Sequence, residues 1–212
     1  ITFSCELSGS GTPGVAPRWG KVLRACGFAE TIDPGVSVTY TPVSSNFESI
    51  TMDFFADTVR HVVAGVRGTV SLSFETGSLP RLEFEMMGLY AEPTDTTLPT
   101  VTFGDQADPV VVNSLHTSQV DIFGYAACLQ SLNLSNAGEV VYRQLAGCER
   151  QVRLTDRKPE GEISIEAPTI AQKNFFSQVS NQELGAVSLT HGTAAGNIVR
   201  FSAQSCNLGG AN

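Results

Sequence analysis

Two neighbouring segments constrain this chain most, because their side chains change character at every second residue. In Gly65–Phe74, Val66, Val70, Leu72 and Phe74 alternate with Arg67, Thr69, Ser71 and Ser73. In Arg81–Leu89, Leu82, Phe84 and Met86 alternate with Arg81, Glu83, Glu85 and Met87. A period of two is that of a strand with one buried and one wet face, and a helix cannot satisfy it. The linker Glu75–Pro80 holds Gly77 and a proline, so the two segments read as an antiparallel hairpin. One face of that hairpin needs a core, and its two outer edges need partners.

The rest of the chain reads mostly as strand. Ile1–Leu7 alternates, and Ser8–Pro17 is a Gly/Ser/Pro loop. Pro17–Phe28 switches to steps of three and four at Trp19, Val22, Leu23 and Cys26, the mark of a short helix with one apolar face. Short strands are expected at Ser37–Pro42, Ser49–Phe55 and Val59–Val63. Ala91–Ser118 is a long irregular stretch rich in Pro and Asp, in which only Val110–Val112 looks extended. Loops of this length are often functional or partner-bound, the other reading being a surface excursion that packs on its own domain. Later strands are expected at Val120–Tyr125, Cys128–Leu134, Glu139–Tyr142, Gln151–Leu154, Glu162–Ala167, Ala186–Thr190 and Asn197–Cys206. A second helix is expected over Thr169–Val179. The simplest account is one domain over residues 1–212, mainly β, an antiparallel β-sandwich or barrel-like fold with one or two short helices on the sheet. The start at Ile1 and the stop at Leu208–Asn212 suggest the middle of a longer protein whose terminal arms lie outside it.

Composition narrows the function. Charged residues make up 16% of the 212, against roughly 25% in an average soluble domain, which fits either a surface partly covered by partner subunits or a β-rich domain that uses Ser and Thr where a helical one uses Lys and Glu. Thirteen basic against twenty-one acidic residues give a net charge of −8. That balance opposes gripping nucleic acid or an anionic membrane, and suits a surface along which DNA slides without sticking. No apolar run approaches the ~20 residues of a membrane-spanning helix. The five cysteines are widely spaced without C-x-x-C, so they read as reduced thiols and not as a disulfide framework or a zinc site.

Motifs for chemistry are weak. His61, His116 and His191 have no second ligand at metal spacing, and neither G-x-S-x-G nor S-x-x-K occurs. Gly9–Gly14 matches G-x-G-x-x-G in letters, but it contains Pro13 and follows a strand that is polar on one side. Glu83 and Glu85 share a strand face, yet no aromatic platform for a sugar accompanies them. Asp105 and Asp108 lack the spacing of a calcium loop. Asn133–Leu134–Ser135 reads as a chance glycosylation match. No cofactor and no catalytic, cofactor-binding or metal residue is expected.

What remains is the order of several stretches. Pro17–Phe28 (PRWGKVLRACGF), Val38–Ser44, Gly65–Val70, Gly88–Tyr90 with Pro93–Asp95, Val141–Arg143, Thr155–Pro159, Ile165–Pro168, Lys173–Phe176 and His191–Asn197 together resemble the major tail tube proteins of long, flexible-tailed bacteriophages, those of Pseudomonas-type phages and prophages in particular. The resemblance implies a structural virion protein, not an enzyme, assembled in the bacterial host cytoplasm. It implies a homo-oligomer: rings, commonly of six, stacked into a hollow tube that holds the tape measure protein and later passes double-stranded DNA. Tail terminator and distal tail proteins would be its neighbours, and no membrane is involved. On this reading Thr69, Ser71, Ser73, Glu83 and Glu85 face the lumen. The 91–118 loop, with Asp95, Asp105, Asp108 and His116, contacts a neighbouring subunit. Alternatives are another tail component, such as a distal adaptor or terminator ring, and a carbohydrate- or receptor-binding sandwich.

Overall fold

The structure is a computed structural model, and it describes residues 1–102, 104 and 106–209. From the amino end come β1 (Thr2–Glu6), the short helix α1 (Gly20–Ala25), and the hairpin of β2 (Phe28–Asp33) with β3 (Ser37–Pro42). Next are β4 (Ile50–Ala56), β5 (Val59–Glu75), β6 (Arg81–Tyr90) and the two-residue β7 (Thr94–Asp95). After the 96–119 excursion follow β8 (Val120–Ile122), β9 (Tyr125–Ala127) and β10 (Leu129–Ser135). The hairpin of β11 (Gly138–Arg143) and β12 (Gln151–Arg157) precedes β13 (Glu160–Ile165). The helix α2 (Phe175–Ser180) and the pair β14 (Leu184–His191) and β15 (Val199–Asn207) complete the described chain.

Two antiparallel sheets make the sandwich. The larger runs in the order β1-β6-β5-β10-β13, with β4 and β7 also pairing β5, and the smaller runs β15-β14-β8-β9. The apolar side of the large sheet is built in rows. Phe3 stands opposite Phe84, which stands opposite Val70; Cys5, Leu82, Leu72 and Leu134 form the next row. Phe74 and Leu132 continue it, and each is essentially fully buried. At the Phe74 end this side meets the small sheet, whose Val120, Ile122, Val187 and Leu189 belong to the same core. At the other end α1 covers it, with Leu23, Ala25 and Cys26 buried and the Cys26 thiol 3.8 Å from Met86 Sδ. Burying each large side chain here contributes about 1.5–3 kcal/mol, and that burial orders the two layers.

Several expectations needed revision. The segments Val59–Val63 and Gly65–Phe74 are one strand, β5, carrying a bulge between Ala64 and Arg67 with Gly65 at φ +59°. A glycine takes that left-handed value without a Cβ clash, so the chain kinks and stays in the ladder. The helix expected over Thr169–Val179 is limited to Phe175–Ser180. Asn174 caps it by accepting from the Ser177 N–H at 3.0 Å, and the Gln172 side chain holds Thr169 in a preceding turn. The first helix is likewise trimmed to six residues. Val120–Tyr125 is broken at Phe123 and Gly124, both at positive φ, into the tight hairpin of β8 and β9. Val110–Val112 is not a strand; Val112 instead exchanges main-chain bonds with Gly77 and Ser78 in the β5–β6 turn, at 2.8 and 3.0 Å. β2 and β7 had no sequence expectation.

Candidate functional site

The outward side of the large sheet is the counterpart of the apolar rows. Ser4 of β1 lies opposite Glu83, Glu83 opposite Ser71, Ser71 opposite Ser135, and Ser135 opposite Glu160. The adjacent row runs Glu6, Arg81, Ser73, Asn133 and Glu162. Thr2, Glu85 and Thr69 form a third, and Glu75, Ser131 and Ser164 a fourth. Directly opposed residues share a face, so five strands present one continuous polar surface. Its middle is a shallow depression lined by Ser71, Ser73, Glu83, Asn133, Ser135, Glu160 and Glu162, with Leu72, Leu134 and Gly161 between them.

The charge on that surface is one-sided. Six carboxylates stand on it (Glu6, Glu75, Glu83, Glu85, Glu160 and Glu162), and Arg81 is the cation in these rows. Arg81 is engaged with its neighbours: its guanidinium lies 3.5 Å from Glu6 and donates to Ser4 Oγ at 3.3 Å. Arg67 has the same strand parity but is roofed over. Its guanidinium donates to the main-chain oxygens of Phe47 (2.8 Å), Glu48 (3.0 Å) and Val152, where the β11–β12 hairpin crosses β5 and β6. Thr69 sits at that margin, half-buried, its hydroxyl oxygen accepting from the Gly138 N–H at 3.0 Å. Glu83 and Glu85 are exposed, and Ser71 and Ser73 lie between them and β10.

Sequence reasoning missed half of this surface. Ser4, Asn133, Ser135, Glu160 and Glu162 belong to it, and the signal was present. Leu132 and Leu134 alternate with Ser131, Asn133 and Ser135, and Gly161 and Ile163 alternate with Glu160 and Glu162. Which strands neighbour the central hairpin, however, is set by long-range pairing that periodicity does not report.

The 91–118 segment divides in two. Its second part is tied to its own chain. Gln106 Nε2 donates to Ser8 Oγ at 2.7 Å, Ala107 N–H to Gly9 O at 3.0 Å, and Asn197 Nδ2 to the Asp108 carbonyl at 2.9 Å. The His116 carbonyl accepts from Gly192 N–H at 2.7 Å, while its buried Nδ1 has no hydrogen-bond partner among the described residues. His191, 1% exposed, anchors the segment: its Nδ1 is 2.9 Å from Thr117 Oγ1 and its Nε2 3.1 Å from Val110 O. The neutral ring, donating to Val110 and accepting from Thr117, satisfies both contacts. Burial lowers its pKa below 6.5, with His116 pushing the same way and the Val110 bond opposing. Asp95 lies in β7 opposite Val59, exposed. Leu98 and Val101 between these parts are exposed. Asp105 lies outside the described residues.

Among the described residues no group of three or more His, Cys, Asp and Glu side chains is placed to hold a metal ion. Among the described residues no helix is long and apolar enough to cross a membrane. Burial pushes the Cys26 thiol up to about 12 and the Cys5 thiol to about 11, the opposite of what a nucleophilic cysteine requires.

An antiparallel sandwich whose larger sheet turns a broad, acid-rich, shallow face outward is suited to lining or contacting an extended surface, and poorly suited to enclosing a small substrate. The family model described as phage tail tube protein matches residues 2–212, and the chain belongs to that family. Membership makes it a structural component of a phage tail. Comparison with curated proteins finds no match.

Proposed function

We propose that the chain self-assembles into rings, six subunits in each, that stack into the hollow tube of a long flexible tail, with no reaction catalysed. The observation that carries this reading is the continuous polar face of β1, β6, β5, β10 and β13, rich in carboxylates and with Arg81 already engaged. Turned toward a lumen, it repels phosphate and leaves DNA free to slide. Thr69, Ser71, Ser73, Glu83 and Glu85 are assigned to that lining, now with Glu160, Glu162 and Asn133 beside them. Before DNA exit the same lining surrounds the tape measure protein. Tail terminator and distal proteins cap the two ends, and assembly takes place in the host cytoplasm. The Pseudomonas-type group is the proposed source, on the resemblance of the quoted stretches.

The exposed 97–102 part of the long excursion, with Leu98 and Val101, is assigned to contact with a neighbouring subunit, Asp95 flanking it. Asp108 and His116 hold the base of that segment to its own chain. Negative-stain microscopy of the concentrated protein tests the reading. Rings or hollow filaments are expected, and a particle that stays monomeric at every concentration would refute it.

A further inference from the structure

Both ends of the large sheet are open edges: among the described residues β1 has β6 as its strand neighbour and β13 has β10. We infer that β13 of one copy zips onto β1 of the next as a parallel ladder, with Ser4 opposite Glu162 across the seam. The inference rests on the ring reading above and specifies how its lumen wall closes.

Strand count sets the direction. Each of the five strands from β1 to β13 is antiparallel to its neighbour. The first and fifth therefore run the same way. Rotation about a tube axis preserves that direction, so the edges of adjacent copies meet parallel.

Main-chain parity agrees independently. Ile1 O accepts from Met86 N–H and Leu7 N–H donates to Pro80 O, each at 2.8 Å. Odd residues of β1 thus face β6, and Thr2, Ser4 and Glu6 turn their N–H and C=O groups to the open edge. In β13, Lys158 N–H donates to Ala137 O and Glu166 N–H to Cys128 O. Even residues face β10 there, and Gly161, Ile163 and Ile165 turn outward. The outward groups therefore come from polar-face residues on β1 and from apolar-face residues on β13. In an antiparallel ladder opposed residues both point at the partner or both point away. That would set Ser4 against Ile163 and turn one sheet over. In a parallel ladder a residue pointing across lies opposite one that does not, so Ser4 meets Glu162 and both faces continue unbroken.

Charge selects the register. With Ser4 opposite Glu162, Thr2 meets Glu160 and Glu6 meets Ser164, so no carboxylate opposes another. On the core side Phe3, Cys5 and Leu7 meet Gly161, Ile163 and Ile165. A shift of two residues either way places Glu6 against Glu162 or Glu166, and directly opposed like charges destabilise a sheet.

The test is a disulfide ladder in purified assemblies. Ser4 and Glu162 of one chain are four strand spacings apart, roughly 19 Å, too far for a disulfide within a subunit. Oxidised S4C/E162C tubes are expected to give a ladder of covalent oligomers up to the closed ring on non-reducing gels. S4C/E160C and the single variants are expected to give at least tenfold less. A second variant addresses the main chain. S4P removes an N–H that faces the open edge, so the monomer is expected to melt as wild type does while ring formation is lost. If wild-type rings form but the ladder appears only with E160C, or S4P assembles normally, the seam is wrong and the ring reading stands. If the wild-type protein forms no rings, both fail together.

Discussion

Reversing two charges on the sheet face gives the sharpest test of the lumen assignment. Glu83 and Glu85 are exposed, and their opposed neighbours Ser4, Ser71, Thr2 and Thr69 are neutral. The double variant E83K/E85K should therefore change monomer stability by no more than about 0.5 kcal/mol, a shift in melting temperature of about 2 °C for a chain of this size. Its effect on the face is much larger. Six carboxylates and one guanidinium become four carboxylates and three cations. A unit charge about 10 Å from a phosphate in water contributes about 0.4 kcal/mol, and physiological salt, with a Debye length of about 8 Å, reduces this to roughly 0.1. Each reversal counts twice, so two sites change the interaction by roughly 0.5 kcal/mol per subunit, or about 3 kcal/mol for a ring of six. In the proposed tube many rings would surround the DNA at once. Particles carrying the variant are expected to release DNA more slowly, measured by dye uptake after triggered ejection, with the rate recovering as salt rises. E83Q/E85Q should fall between. Full-length variant tubes that eject at the wild-type rate at every salt concentration would refute the placement of this face.

Three further outcomes follow from the packing. Phe74, fully buried and edge-on to the His191 ring at 5.5 Å, should cost about 3–5 kcal/mol when changed to Ala, read from urea unfolding; a loss under about 1 kcal/mol would contradict its place in the core. His191 takes up a proton less readily folded than unfolded, so its contribution is complete above 6.5 and declines as pH falls below that value. Melting temperature should drop between about pH 7 and 5, and H191Q should flatten the slope; an unchanged slope would remove His191 as its cause. A thiol reagent should react quickly with exposed Cys128 and Cys148 in the native protein and reach buried Cys26 only on unfolding; fast labelling of Cys26 would contradict the α1 packing.

The faces of the central hairpin were legible in the sequence because alternation maps directly onto side-chain direction. Every expected inward residue from Val66 to Met86 lies on the core side, and Glu83 and Glu85 lie outside. What failed was anything decided by distant partners. Phe28–Asp33 carries no strand signal of its own and becomes β2 because β3 pairs with it across the Pro34–Val36 turn. Thr169–Lys173 has helical spacing, but the Asn174 side chain starts a shorter helix after it. His191 gave no sign of its role, since its contacts Thr117 and Val110 lie more than seventy residues away. Half of the acidic face was hidden for the same reason: β10 and β13 carry the right alternation, but only long-range pairing lays them beside the hairpin.

The bulged strand β5 has a mechanical consequence. It is one unbroken backbone from the exposed β4 ribbon to the β5–β6 turn, clasped by β6 on one side and by β4 and β10 in succession on the other. Its hydrogen bonds lie across the strand, so tension along its axis loads them in shear and they must yield together instead of peeling one by one. Tension arriving at the ribbon is thereby spread along the whole length of β5 into both of its flanking ladders, and the Gly65 kink marks where the strand changes direction.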